Sequence, residues 1–261
     1  MSAKDAIHST SIIDPGAELA DDVQVGPYAV IGPGVQIGPG CTIGAHTNIK
    51  GPTTLGVNNH IYPFASIGDD PQDKKFAGES TRLEIGSDNT FREYCTINRG
   101  TIQDEGVTRI GSDNWLMAYT HVAHDCQLGD HIVMANGATL GGHVRLGDYA
   151  MCSAFACVHQ FCRIGAHSFL GAYAGINLDV PPYILVFGQP PAPRGINSEG
   201  LRRRDFSKDN IKNLKEAYRI LYRSNLRAAE AAARLSELAP EQPELGILVE
   251  FLEHSERGVI R

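Results

Sequence analysis

Along the first two-thirds of the 261-residue chain an aliphatic side chain returns every six positions. The run begins Ile7, Ile13, Leu19, Val25, Ile31, Ile37, Ile43, Ile49, Leu55, Ile61, Ile67 and resumes in the same register at Ile85, Phe91 and Ile97. A second run starts at Ile110 and continues unbroken through Leu116, Val122, Leu128, Met134, Leu140, Leu146, Cys152, Val158, Ile164, Leu170 and Ile176. Gly often follows the aliphatic residue, as in IGPGVQ, IGAHTN, LGDHIV and LGDYAM. Neither a helical period nor simple strand alternation produces this spacing. A short strand followed by a tight turn does, with the aliphatic side chain inward and a small residue at the corner. Three such hexads close a triangular coil, and stacked coils that share backbone hydrogen bonds rise by about 4.8 Å each. The pattern therefore predicts a mostly β chain wound as a parallel β-helix.

Two insertions interrupt the period. The first, residues 68–84, preserves the register, because Ile67 and Ile85 are 18 apart. The second, near residues 98–109, does not, because Ile97 and Ile110 are 13 apart. Insertions in a solenoid fall in outer loops and frequently carry function. After Ile176 the Pro-rich stretch DVPPYILVFGQPPAPRG can continue neither repeat nor helix. From Ser207 the spacing of Ile211, Leu214, Tyr218 and Leu221 becomes helical behind an N-cap serine. Further helices are expected near residues 225–238 and 240–254. The expected organisation is a solenoid domain over 1–190 and a helical domain over 191–261 that caps the open end of the stack.

Composition narrows the class. With 28 Gly and 14 Pro the chain is too turn-rich for a helical bundle, and 42% apolar residues exclude wholesale disorder. A net charge of −7 argues against nucleic acid as a partner. No apolar run is long enough for an integral membrane segment, and the N-terminus lacks a signal-peptide core, so a cytoplasmic protein is expected. The six cysteines show no zinc-ribbon spacing and read as buried, reduced thiols.

Candidate chemistry concentrates in THVAHDCQLGDHIVMANGATLGGHVRLGDYAMCSAFACVHQF, which holds His121, His124, His131, His143 and His159. Residues 18 apart stack in adjacent coils, so His124, Gly142 and Gln160 form one column and Asp125, His143 and Phe161 the next. That places the His124 imidazole one coil from the Gly142 backbone. An imidazole there can take a proton from a hydroxyl while a backbone N–H stabilises an oxyanion, and Asp125 can orient the ring. Because no G-x-S-x-G elbow is present, direct attack by a hydroxyl substrate is expected rather than an acyl-enzyme. A zinc enzyme using His121, His124, Asp125 and His143 as ligands is the alternative, and a non-catalytic scaffold the second. The tail adds a basic stripe, with Lys208, Lys212, Lys215, Arg219 and Arg223 at helical spacing, which fits an acidic or phosphorylated partner.

The hexads resemble those of the left-handed β-helix proteins, whose crossovers depart from the usual right-handed rule. The segments QDKKFAGE, HVAHDC, LGGHV, VHQFCRIGAH, DVPPY and NSEGLRRRDFS further resemble the acyl-carrier-protein-dependent UDP-N-acetylglucosamine 3-O-acyltransferases of lipid A synthesis, over nearly the whole chain. The resemblance implies that His124 is the general base, that Asp125 supports it and that the Gly142 N–H is the oxyanion donor. It also implies that Gln72, Asp73, Lys75, His121, His143, His159 and Gln160 hold sugar and substrate, and that Asn197, Glu199, Arg203 and Arg204 bind the nucleotide. The implied assembly is a homotrimer with sites between neighbouring solenoids. Its donor is a (3R)-3-hydroxyacyl chain on the phosphopantetheine of acyl carrier protein, with no bound cofactor and no metal. Ala172 and Pro190 stand where relatives carry glycine and histidine near the acyl groove, and they are expected to influence chain length.

Overall fold

The computed structural model describes residues 6–261, and its coils follow the hexads. Strands of two to four residues alternate among three parallel sheets, which form the faces of a triangular prism. The first face runs from Ile12–Ile13 to Gly175–Ile176, the second from Glu18–Leu19 to Arg163–Ile164, and the third from Gln24–Val25 through Phe169–Leu170. Strand partners stand 18 apart wherever no insertion intervenes, as with Val122 and Leu140 on the first face or Leu128 and Leu146 on the second. The solenoid is a left-handed parallel β-helix.

Two side chains per hexad fill the prism, the aliphatic residue and a mostly small one two places before it, such as Ala29, Ala138 or Ala156. Ile31, Ile49, Ile67, Ile97, Leu116, Val122, Leu140 and Leu170 are fully or almost fully buried. Cys41, Cys95, Cys126, Cys152 and Cys162 are buried free thiols, whereas Cys157 faces outward from the first face. Burial pushes the Cys126 and Cys152 thiols up to about 12. Stacked aromatic rings run along the corner between the third and first faces, from Tyr28 through His46, Phe64 and Tyr94 to Tyr119.

Both insertions are shorter loops than the hexad count implies, because strands Ser66–Asp69 and Arg82–Ile85 frame the first and Thr96–Asn98 and Val107–Ile110 the second. The pairing of Ile85 with Ile110 restores the core register after the second loop.

The expected domain boundary at 190/191 falls inside an antiparallel hairpin, Ile184–Phe187 with Ala192–Ile196, which extends the third face. Pro190 and Pro191 lie in its turn, so the sheet carries on past the Pro-rich stretch expected to end the repeat. Four helices follow: α1 (Ser198–Arg202), α2 (Lys208–Tyr222), α3 (Ala228–Leu238) and α4 (Gly246–Glu253). Ser207 caps α2 in a reciprocal pair with Asn210, as its sequence indicates. Leu201, Ile211, Leu214, Leu245 and Leu248 join the solenoid core. The chain end returns to the stack through Asp179 and Val259.

Candidate active site

At the corner between the first and second faces, the coils without an insertion turn in the same way. There the residue two places after the core aliphatic makes no backbone-to-backbone hydrogen bond through its own N–H, whereas Arg99, where the second insertion begins, bonds the Asp69 carbonyl. Prolines 15, 27, 33 and 39 and Pro63 occupy that slot at various corners, because it has no donor to lose. His124, Gly142 and Gln160 occupy it in three successive coils. The Gly142 N–H consequently has no acceptor among the described residues. The following residues, Asp125, His143 and Phe161, take left-handed φ values of 59°, 61° and 65°. Their stacking is locked by His143 N–H donating to the His124 carbonyl and Phe161 N–H to that of Gly142, both at 3.0 Å.

The turn geometry delivers the expected column. A β-carbon at Gly142 would stand 2.6 Å from His124 Cε1 and 2.8 Å from Nε2, so the imidazole lies directly against the glycine backbone. Only a residue without a side chain leaves room for it.

Asp125 is 1% exposed and accepts from three donors. Its Oδ2 meets His124 Nδ1 at 2.8 Å and the Thr101 hydroxyl at 2.6 Å, and its Oδ1 accepts the Thr101 N–H at 2.8 Å. Its own N–H donates to Thr108 Oγ1. Burial pushes the carboxyl up, but the bonds from His124 and Thr101 outweigh it and hold it below the usual aspartate value. An ionised Asp125 accepting the Nδ1 proton leaves Nε2 of His124 as the basic atom.

His143 stacks on Phe161 at 4.3 Å and meets His124 edge-on at 5.1 Å. Its Nδ1 bonds Asp104 at 2.8 Å, while Nε2 stands 3.7 Å from Asp125 Oδ2.

A cleft of about 560 Å³ opens above these rings, lined by His124, His143, Gln160 and Phe161 from the corners and by Gln72, Asp73, Lys75 and Asp104 from the two insertions. The first loop is anchored at its root. The Arg99 side chain, 9% exposed, donates to the carbonyls of Gly51 and Gly68 and pairs with Asp70 at 2.5 Å. Asn98 donates to the Asp70 carbonyl, and Lys50 pairs with Asp69 at 2.6 Å. Gly68 sits at φ +75°, where a β-carbon would meet Thr53 Oγ1 and the Lys50 carbonyl.

The structure thus gathers His124, Asp125, Gly142, Gln72, Asp73, Lys75, His143 and Gln160, and leaves the other expected residues elsewhere. His121 lies half-buried on the first face, its Nδ1 at 2.8 Å from Thr96 Oγ1. Burial, then the neighbouring His124, lowers its pKa. His159 is exposed, with Nδ1 at the Gln160 carbonyl. Asn197 caps α1, Glu199 pairs with Arg202 and Arg203, and Arg204 lies over the Tyr149 ring at 4.8 Å. None of these lines the cleft. Ala172 and Pro190 are exposed, Ala172 at the corner between the third and first faces and Pro190 in the hairpin turn. Neither lines the cleft.

Thr101, Asp104 and Thr108 escape the sequence reading, since the second insertion breaks the 18-residue column rule and leaves only its length as a signal. The basic stripe is real in space, with Lys208, Lys212, Lys215, Arg219 and Arg223 all exposed on α2 and at its end.

Comparison with known proteins places these features among relatives. Residues 179–260 match the family described as Udp N-acetylglucosamine O-acyltransferase, domain 2, and residues 16–51 and 108–142 match the bacterial transferase hexapeptide repeat. The chain is 55% identical over 255 residues to the acyl-[acyl-carrier-protein]–UDP-N-acetylglucosamine O-acyltransferase of Thiobacillus denitrificans, covering 98% of this chain and 99% of that one. The protein of the same name from Herminiimonas arsenicoxydans is 55% identical over 259 residues, with the same coverage. Among solved structures, LpxA from Acinetobacter baumannii superposes with a TM-score of 0.96 at 47% identity, over 98% of this chain and 100% of that one. The UDP-N-acetylglucosamine acyltransferase of Francisella novicida gives 0.96 at 41% identity, over 98% and 94%.

Proposed function

The chain belongs to the acyl-[acyl-carrier-protein]–UDP-N-acetylglucosamine O-acyltransferase family, and from that premise we propose that it moves a (3R)-3-hydroxyacyl chain from acyl carrier protein to the 3-hydroxyl of UDP-N-acetylglucosamine, opening lipid A synthesis in the cytoplasm. The observation that carries this reading is the contact of His124 with the Gly142 backbone, whose N–H is uncommitted. The sugar hydroxyl attacks the thioester carbonyl as His124 Nε2 removes its proton, and Asp125 stabilises the resulting imidazolium. The carbonyl oxygen gains negative charge and accepts from the Gly142 N–H. On collapse the C–S bond breaks and the pantetheine thiolate takes the proton back from His124. The enzyme ends unchanged, and no bound cofactor enters the cycle.

Gln72, Asp73, Lys75, His143 and Gln160 line the cleft where the sugar has to sit, which supports their assignment to the acceptor. Asn197, Glu199, Arg203 and Arg204 lie outside it and are assigned to the nucleotide, with Arg suited to a diphosphate. His121 and His159, also outside, are assigned to substrate contacts beyond the cleft. A homotrimer, in which neighbouring solenoids complete each site, reconciles these separate clusters. The exposed stripe on α2 is assigned to the acidic carrier. Ala172 and Pro190 are assigned to chain length. The Ala172 methyl, where relatives carry glycine, ends the expected groove slightly earlier, so a medium-length donor is expected.

Incubation with UDP-N-acetylglucosamine and a panel of 3-hydroxyacyl-carrier thioesters tests the reading. Mass analysis should find the O-acylated sugar nucleotide, with a maximum at medium length. No acylated product with any donor overturns it.

A further inference from the structure

We propose that His124, Asp125 and His143 form a binding site for a divalent transition-metal ion of the zinc class, and that its occupancy switches acyl transfer off. One donor atom from each of the three residues lies within 4.8 Å of the others. Asp125 Oδ2 stands 2.8 Å from His124 Nδ1 and 3.7 Å from His143 Nε2. Donors bound at about 2.0 Å to a tetrahedral zinc stand roughly 3.3 Å apart. The two spacings bracket that value, so an ion fits by small opposite shifts of the rings about one carboxylate.

A second, independent observation is the surroundings of these groups. Metal-bound histidines give their other ring N–H to a carboxylate, which fixes the ring and raises its basicity. Asp104 does this to His143 Nδ1 at 2.8 Å and turns Nε2 toward Asp125. Thr101 holds the Asp125 carboxylate through its N–H and hydroxyl. The proton movements of the acyl-transfer cycle make no use of Asp104. Two imidazoles and a carboxylate suit zinc, whereas magnesium and calcium prefer oxygen donors alone. Side chains of His124 and His143 are 13% and 12% exposed, so the ligands are shielded yet reachable from the cleft. A fourth coordination position would take water there.

Binding at Nδ1 takes the other neutral tautomer of His124, so the ring proton moves from Nδ1 to Nε2 and stays on the imidazole. Nε2 then holds the N–H and has no lone pair with which to take the hydroxyl proton, and Asp125 no longer balances an imidazolium. The inhibitory half of the proposal rests on the acyl-transfer reading; the binding half does not.

Calorimetric titration of the metal-free full-length protein with zinc chloride, in two buffers of different ionisation enthalpy, tests binding directly. The expected result is one ion per chain in both buffers, with no proton lost by His124 or Asp125. Asp104→Asn, in an exposed loop, should keep the wild-type melting temperature and weaken binding by about 10–100-fold. His143→Gln should remove the stoichiometric site. Absence of saturable binding, or wild-type affinity in both variants, overturns the proposal. In an activity assay, turnover should fall in step with occupancy and return on adding a chelator. Full turnover by zinc-loaded enzyme overturns the inhibitory half. A failure of the acyl-transfer reading shows separately, as absence of turnover in the metal-free protein.

Discussion

The Gly142 backbone and the His124 imidazole are in contact at a position where a single β-carbon would come within 2.6 Å of the ring. The backbone at 142 is not in the left-handed region, so alanine there strains the neighbour rather than the turn. Gly142→Ala should therefore leave the melting temperature close to wild type while displacing His124. Loss of a correctly placed general base costs on the order of 10²–10⁴ in rate. Steady-state kcat beside a thermal melt separates this outcome from simple unfolding.

Thr101 bonds both oxygens of the buried Asp125. Thr101→Val keeps the shape and the backbone bond but removes the hydroxyl donor. A hydrogen bond to a charged group contributes about 1.5–3 kcal/mol, so denaturant unfolding should show a loss of that size. Turnover should fall with it, and Thr101→Ser should restore both.

Most of this fold is legible in the sequence because one inward aliphatic per hexad fixes both strand and register. The column rule places His124 beside Gly142 and His143 beside Phe161 without any knowledge of the coordinates. It fails at the second insertion, where 13 residues separate Ile97 from Ile110 and no arithmetic predicts that Thr101 reaches Asp125 or Asp104 reaches His143. It fails again after Ile176, where the Pro-rich stretch reads as the end of the repeat although Pro190 and Pro191 turn a hairpin that continues the third face. Helix α1 is too short to show a period, and its one signal is the Asn197 cap that accepts from the Gly200 N–H. The assignment of Arg203 and Arg204 to a site they do not line within one chain depends on assembly, which no single-chain periodicity encodes.

His167 offers a pH test of the cap junction. Its ring lies between Tyr149 and Tyr183 with Phe206 at its edge, and its Nδ1 is buried without a partner among the described residues. Burial, then the nearby Arg204 guanidinium, lowers its pKa to about 4. An unfolded histidine takes a proton near its ordinary value of about 6.5. Between those values the unfolded chain binds the proton that the folded chain refuses, so stability declines as pH falls from about 6.5 toward 4. Above that window the group has no effect. His167→Gln should flatten this part of the curve of melting temperature against pH; an unchanged slope assigns it to other groups.

The exposed cations of α2 should recruit the carrier. Reversing Lys212 and Arg219 to Glu is expected to raise the carrier KM and to weaken its salt dependence, with the KM for the sugar nucleotide unchanged. Initial rates at low and at physiological salt read both effects. Carrier kinetics unchanged at low salt would leave the stripe as a solvated surface.

The central claim is that His124 is the proton carrier of acyl transfer, and kcat of His124→Ala with 3-hydroxyacyl-carrier thioester and UDP-N-acetylglucosamine tests it most directly. The account predicts a folded protein of wild-type melting temperature and assembly whose kcat is lower by about 10²–10⁴-fold. A folded variant that keeps more than half of the wild-type kcat would contradict it.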